Sequence, residues 1–244
     1  SAQGVGYQGV IDVRNQPSGK SALASFGEFL KMAAAVYLDV DSSELRVGQQ
    51  NYRYNDCLTE QLFIADALEN GAGYARRLFD KTRFTAVLQE HYDSVKSIWE
   101  SEEHSNCDSS CQNCLRNYGN RMTHHLLDWR LALDVTELIL GIPLEDRWTR
   151  KSLNIAQWFC ALCEASEIED VSIKKIGELT AICFGDSNAF ILSHPLWHTR
   201  EGLVTDIQIE AKLALQGFNV TFVDIRELSI KPHKFIIKIV DQSD

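Results

Sequence analysis

Residues 104–115 read HSNCDSSCQNCL and place three cysteines, Cys107, Cys111 and Cys114, within eight residues. Thiolates separated by two or three residues can converge on a single ion, as tetrahedral Zn²⁺ requires. The Asp, Ser, Gln and Asn residues between them suit a tight polar loop whose backbone amides face the sulfurs. The stretch therefore predicts a zinc knuckle, which is a short loop that is folded around one metal ion.

Three residues compete for the fourth ligand position of this knuckle. His104 lies three residues before Cys107, His124 follows Cys114 by ten residues, and Cys57 is remote in sequence. We prefer His104, then His124, and Cys57 stays open as a residue that could fold over the site. A site closed by four protein ligands has no position for water, so the zinc would be structural.

A second C-x-x-C occurs at Cys160 and Cys163 in a very different setting. The surrounding sequence, WFCALCE, is apolar and helical, so both side chains would share one buried helix face. We therefore predict core packing for this pair and metal binding for the first cluster.

Composition narrows the class of protein. The chain has 244 residues, of which 45% are hydrophobic and 24% charged, as in an ordinary packed globular protein. Its net charge of -10 is unusual for a domain that grips DNA by itself, because phosphate contacts require local positive charge. No apolar run reaches the roughly 18 residues of a membrane span and no secretory signal pattern is present, so we expect a cytoplasmic protein.

The hydrophobic pattern alternates between helices and short strands, which is typical of a mixed α/β architecture. A polar, charged stretch near residues 143–151 predicts a boundary between a zinc-binding domain at 1–145 and a C-terminal α/β segment of unknown role at 146–244. The first domain would pack helices on a small mixed sheet, with the zinc knuckle inserted between helices. The predicted strands are 5–13, 45–50, 61–66, 179–184, 189–193 and 219–224. The predicted helices are 21–38, 74–99 with a break, 126–140, 151–166 and 203–216.

The sequence around the knuckle resembles a known family. Residues 107–133 read C-x3-C-x2-C-LRNYGN-x3-H-x2-LDWRLAL, and residues 65–75, ADALENGAGYA, are similar to the same family's glycine-bearing turn from strand to helix. The helix at 21–38 and the segment that follows it look like the family's opening. On these motifs, about residues 1–145 resemble the DUF1998 domain, which is the MrfA-type zinc-binding (MZB) domain.

The resemblance implies both a cofactor and a partner. Such modules occur at the C-terminus of DEAD/DEAH-box superfamily 2 helicases, including those of bacterial DNA repair and phage defence. The resemblance therefore implies that Cys107, Cys111 and Cys114 hold Zn²⁺. Because the chain lacks every helicase motor motif, it also implies a non-catalytic C-terminal fragment or separate subunit that docks to the motor domains of an ATP-dependent DNA helicase.

Four side chains flank the knuckle and could contact single-stranded DNA by charge and stacking: Arg116, Tyr118, Arg121 and Arg130. The alternative is that they pack and hydrogen-bond locally.

Two other functions compete with the helicase module. Asp206, Glu210 and Lys212 echo the carboxylate and lysine signature of metal-dependent nucleases, although the segment is predicted to be helical. The other alternative is a pure protein-interaction module of a defence complex.

Overall fold

The structure is a computed structural model that describes residues 16–54, 57–68, 73–78, 80–200 and 202–243. These residues form a mixed α/β fold, which confirms the predicted fold class. Residues 20–145 form one compact unit, and residues 146–243 form a second one together with residues 16–19. The predicted strand at 5–13 lies outside the described residues.

The helices and strands follow the predicted order, with several additions. The helices are α1 (Gly19–Leu38), α2 (Tyr74–Arg77), α3 (Lys81–Trp99), α4 (Trp129–Leu140), α5 (Arg147–Ala165), α6 (Asp206–Ala214), α7 (Ile225–Ile230) and α8 (Pro232–Ser243). The strands are β1 (Leu45–Tyr54), β2 (Cys57–Asp66), β3 (Ser172–Ile176), β4 (Leu179–Phe184), β5 (Asn188–Ser193) and β6 (Asn219–Asp224). Among the described residues, no helix is both long and apolar enough to cross a membrane.

The structure differs from the predicted elements at several places. Helix α4 begins at Trp129 rather than at 126, because the Asp128 carboxylate caps it by accepting a hydrogen bond from the Arg130 amide at 3.1 Å. Strand β3, with the sequence SIKKI, has two adjacent lysines and little hydrophobic signal. Helices α7 and α8 follow the last predicted element and were not predicted.

The first unit sets a β-hairpin against α1. Strands β1 and β2 pair antiparallel, so the small sheet of this unit is antiparallel rather than mixed. A Cβ at Gly27 of α1 would lie 2.8 Å from Val47 Cγ1 and 3.2 Å from Leu62 Cδ1, so glycine permits the close approach of the hairpin.

Helices α1, α3 and α4 position the two ends of the knuckle. Phe29 of α1 packs edge-on against His91 and Trp99 of α3, with ring centroids 4.9 and 5.9 Å apart. The Tyr92 hydroxyl of α3 donates a hydrogen bond to Glu137 Oε1 of α4 at 2.6 Å. The knuckle links the end of α3 to the start of α4, so these contacts hold both of its ends in place.

The second unit contains the mixed sheet, in the order β3-β4-β5-β6. Strands β3, β4 and β5 pair antiparallel, whereas β5 and β6 are parallel and are connected through α6. On one face, Ala211 and Leu215 pack against the sheet. Elsewhere in this unit, Phe235 of α8 lies edge-on to Phe190 of β5, with ring centroids 5.9 Å apart.

Candidate metal centre

One His/Cys cluster stands out among the described residues. The ligand atoms of His104, Cys107, Cys111 and Cys114 all lie within 4.8 Å of one another. The Cys107 and Cys114 sulfurs are 3.9 Å apart, those of Cys114 and Cys111 are 3.7 Å apart, and His104 Nε2 is 3.3 Å from Cys111 Sγ. The structure therefore brings together the three predicted cysteines and the preferred fourth ligand.

This arrangement fits a tetrahedral zinc ion. Zinc–sulfur bonds of about 2.3 Å in a regular tetrahedron place two sulfurs about 3.8 Å apart, and the corresponding sulfur–nitrogen separation is about 3.5 Å. The observed separations of 3.9, 3.7 and 3.3 Å lie close to these values. Three thiols and one imidazole form a closed donor set of the kind that holds structural zinc.

The backbone orients the His104 imidazole toward the cluster. Its Nδ1–H donates to the Trp99 carbonyl at 2.8 Å, which leaves Nε2 to face the sulfurs. A short 3₁₀ turn at Glu102–His104 carries the ring back over the end of α3, where it packs against Trp129 with ring centroids 5.4 Å apart. A partner on the second ring nitrogen fixes the tautomer of a metal-binding histidine.

His124 is occupied elsewhere. Its Nε2–H lies 3.0 Å from the Asn117 carbonyl oxygen and 2.8 Å from Asn120 Oδ1, so it donates within its own turn. The structure therefore favours His104 over His124, while nothing is described of the Cys57 side chain.

Without a cation, the buried thiols of Cys107 and Cys114 would hold their protons. Burial and the neighbouring Cys114 raise the pKa of Cys107 well above its usual range, and burial raises the pKa of Cys114 to about 11. The Cys111 amide donates to Cys114 Sγ at 3.0 Å, an interaction that favours the thiolate. Zinc binding supplies the positive charge that three adjacent thiolates require, and it releases their protons.

Arg130 is a structural part of the centre. Only 9% of this residue is exposed, and Nη1 donates to the Asp108 carbonyl at 2.6 Å while Nη2 lies 3.5 Å from the Cys107 carbonyl. Its guanidinium also stacks over the Trp129 ring at 4.3 Å. Arg130 is therefore not a candidate for contact with DNA, because its donors face the backbone of the zinc loop.

The turn between the knuckle and α4 is held by its own side chains. Asn117 and Asn120 each accept a hydrogen bond from the other's backbone amide, and Asn120 Nδ2 donates to the Leu115 carbonyl at 2.8 Å. At the end of the turn, the Asp128 amide donates to Ser25 Oγ of α1 at 2.8 Å. The Asn, His and Asp residues after the last cysteine thus maintain the loop.

Two of the four predicted DNA-binding residues, Tyr118 and Arg121, form no hydrogen bond to the zinc loop among the contacts described above. Tyr118 is 81% exposed, and the Arg121 guanidinium lies 4.8 Å from its ring centroid while Nη1 donates to the Tyr118 hydroxyl at 2.8 Å. Arg116 is half-buried and donates through Nε to Ser110 Oγ at 2.9 Å, inside the knuckle. The accessible pair is therefore Tyr118 and Arg121.

The backbone amides at the start of α2 hydrogen-bond to a carboxylate. Asp66 accepts the amides of Gly73, Tyr74 and Ala75 at 2.7, 3.1 and 2.8 Å. The hydrogen bond from the Ala75 amide, together with those from Gly73 and Tyr74, lowers the pKa of Asp66. The amides at this junction bind an internal anion, and Gly73 has the positive φ of 74° that the turn requires.

The residues of the nuclease alternative do not converge. Asp206, Glu210 and Lys212 lie on α6 and are all exposed. Glu210 and Lys212 are two positions apart, and such residues point in nearly opposite directions around a helix.

Cys160 and Cys163 are buried on α5, as the core-packing prediction requires.

The fold and the donor set together define a zinc-binding module with a structural metal. Residues 26–115 match the family model of the MrfA Zn-binding domain, MZB, and this segment contains all four residues of the cluster. The match covers a little over a third of the chain and confirms the resemblance to this family, as well as zinc as the cofactor. No curated protein and no solved structure matches the chain.

Proposed function

We propose that this chain is an accessory module of an ATP-dependent DNA helicase in the cytoplasm, with a role in DNA repair or anti-phage defence. In this proposal the module docks to the helicase motor domains, or to a helicase partner subunit, and contacts single-stranded DNA beside its zinc centre. The supporting observation is the match to a domain named after MrfA over the segment that carries the zinc cluster. A closed metal site gives the module a scaffolding role rather than a catalytic one.

Local charge supports a DNA contact at the knuckle. Although acidic residues outnumber basic ones by 34 to 24 in the whole chain, residues 109–127 contain no Asp or Glu. The same stretch carries two arginines, Arg116 and Arg121, and two histidines, His124 and His125. A phosphate backbone approaching this side of the module meets no local carboxylate from the stretch itself.

The exposed ring of Tyr118 supplies a surface for stacking. Arg121 holds the tyrosine from one side through its stack and hydrogen bond, yet 81% of the residue stays accessible. Met122 beside it is 79% exposed and extends the apolar surface. An aromatic ring next to an arginine is a sequence-independent platform for an unpaired base.

We expect Tyr118→Ala to weaken the binding of a fluorescein-labelled oligo-dT by a factor of about 5 to 150, because one stacked base contributes roughly 1–3 kcal/mol. Fluorescence anisotropy with the full chain measures the effect. Tyr118→Trp, which keeps a stacking ring, should bind as tightly as the wild type.

Tyr37→Ala is the matched control, because Tyr37 is also exposed, at 46%, but lies on α1. Equal affinity of Tyr118→Ala and wild type would contradict the DNA contact at this position. Binding that is insensitive to salt would contradict a phosphate contact and favour the protein-interaction alternative.

The helicase association has its own test. Antibodies against this chain should recover, from native cells, a complex or longer polypeptide that hydrolyses ATP in a DNA-dependent manner. A tagged chain carrying Cys111→Ser should fail to recover this activity, because the docking module depends on its zinc. Recovery of the intact chain without DNA-dependent ATP hydrolysis would contradict the proposal.

A further inference from the structure

A half-buried lysine in the second unit has no counter-charge among the described residues. Lys238 on α8 places Nζ 3.4 Å from the Thr221 hydroxyl of β6 and 5.7 Å from the centroid of the Phe190 ring. Within the part of the chain that the structure describes, no carboxylate lies within ion-pair distance of this ammonium group. Partly desolvated charges normally have a partner, so this one requires an explanation.

A second ammonium group lies one helical turn away and increases the local positive charge. Lys234 is exposed and forms an ion pair with Glu227 Oε1 at 2.7 Å. Burial and the charge of Lys234 together lower the pKa of Lys238. Lys231, also exposed, lies just before α8, so three lysines occur within eight residues of an otherwise acidic chain.

We infer that Lys234, Lys238 and Thr221 form a binding site for a phosphate of a nucleic-acid backbone. A phosphate offers several acceptor oxygens, which can take hydrogen bonds from two ammonium groups and one hydroxyl at once. Its charge compensates Lys238 without competing for Glu227. No other role is assigned to this surface of the second unit, and the inference does not rest on the helicase association.

The number and the exposure of the lysines favour a polymer over a small free ion. Lys231 and Lys234 are open to solvent, and they extend the positive charge beyond the half-buried Lys238. Several lysines within a short stretch suit a chain of phosphodiesters, which can neutralise more than one of them and release counterions. A free phosphate would compensate Lys238 without engaging the exposed Lys231.

The double variant Lys234→Gln, Lys238→Gln in the full chain tests the site. For single strands, the logarithm of the binding constant falls with the logarithm of salt by about 0.7 per neutralised phosphate. Because the two lysines hold one phosphate, we expect the double variant to reduce that slope for oligo-dT by about 0.7 and to weaken binding at low salt by on the order of tenfold. Lys81→Gln, at an exposed lysine of α3, is the matched control and should leave the slope unchanged.

Two further measurements separate this site from Tyr118 and from a structural role. Tyr118→Ala should lower affinity without changing the salt slope, because stacking involves no counterion release. Lys238→Gln should melt at the same temperature as wild type or higher, because it removes an uncompensated charge.

Three results would overturn the inference. The first is a double variant with the wild-type salt slope. The second is a Lys238→Gln variant that melts several degrees lower, which would assign Lys238 to packing. The third is binding of millimolar inorganic phosphate that is lost in Lys238→Gln while the affinity for oligo-dT is unchanged, which would assign the site to a free ion.

Discussion

Replacing Cys111 with serine is expected to remove zinc from the chain and to abolish the cooperative unfolding of the first unit. The remaining three ligand atoms cannot close the tetrahedron, and the buried thiols of Cys107 and Cys114 would regain their protons. Binding of structural zinc contributes roughly 10–16 kcal/mol of apparent free energy in small zinc domains, so the loss of one ligand has a large effect. Metal analysis by mass spectrometry and thermal unfolding followed by circular dichroism measure the two consequences.

Cys160→Ala is the matched control for this prediction. Cys160 is a buried cysteine that lies on α5, outside the cluster. This variant should keep about one zinc per chain while losing some packing energy. A Cys111→Ser protein with wild-type zinc content and an unchanged melting temperature would refute the structural metal centre.

Replacing Arg130 with alanine is expected to lower the free energy of unfolding of the first unit by about 2–4 kcal/mol. The guanidinium donates to the Asp108 carbonyl and lies near that of Cys107, and the stack on Trp129 would be lost with it. Lysine at this position should restore only part of the stability, because an ammonium group cannot reproduce the planar arrangement of donors. Urea unfolding of the zinc-loaded protein measures the difference.

Arg121→Ala is the contrasting variant. Arg121 is exposed and bonds only to Tyr118 among the described residues, so its removal should change stability by no more than about 0.5 kcal/mol. The opposite pattern, in which Arg130→Ala is as stable as wild type and loses DNA binding, would return Arg130 to the DNA interface.

The elements that were predicted correctly carry strong local signals. The helix at 21–38 has apolar residues at helical spacing, and the strands at 179–184 and 189–193 are short apolar runs separated by a turn; the structure has α1, β4 and β5 there. The missed strand β3 lies at a sheet edge, where lysines replace the hydrophobic alternation. Its pairing depends on β4, which supplies the partner hydrogen bonds from outside the local sequence.

At the zinc centre, too, the sequence identified some ligands and left another to the tertiary structure. Spacing alone identified Cys107, Cys111 and Cys114, because ligands two or three residues apart can reach one ion in almost any fold of the loop. The spacing did not decide the fourth ligand among His104, His124 and Cys57, because several chain paths can bring each of them close to the ion. The structure favours His104 through the Trp99 carbonyl that holds its other ring nitrogen.

The sequence by itself determined the class of fold, the cysteine cluster and the resemblance to a zinc-binding family, since these depend on periodicity and short spacings. Only the tertiary structure decided that Arg130 supports the zinc loop while Tyr118 faces solvent. It also decided that Lys238 lies beside Thr221 with no carboxylate of the described residues at ion-pair distance. The physical reason is that the role of a polar side chain depends on its hydrogen-bond partners. Those partners are 22 residues away for Arg130 and 17 residues away for Lys238.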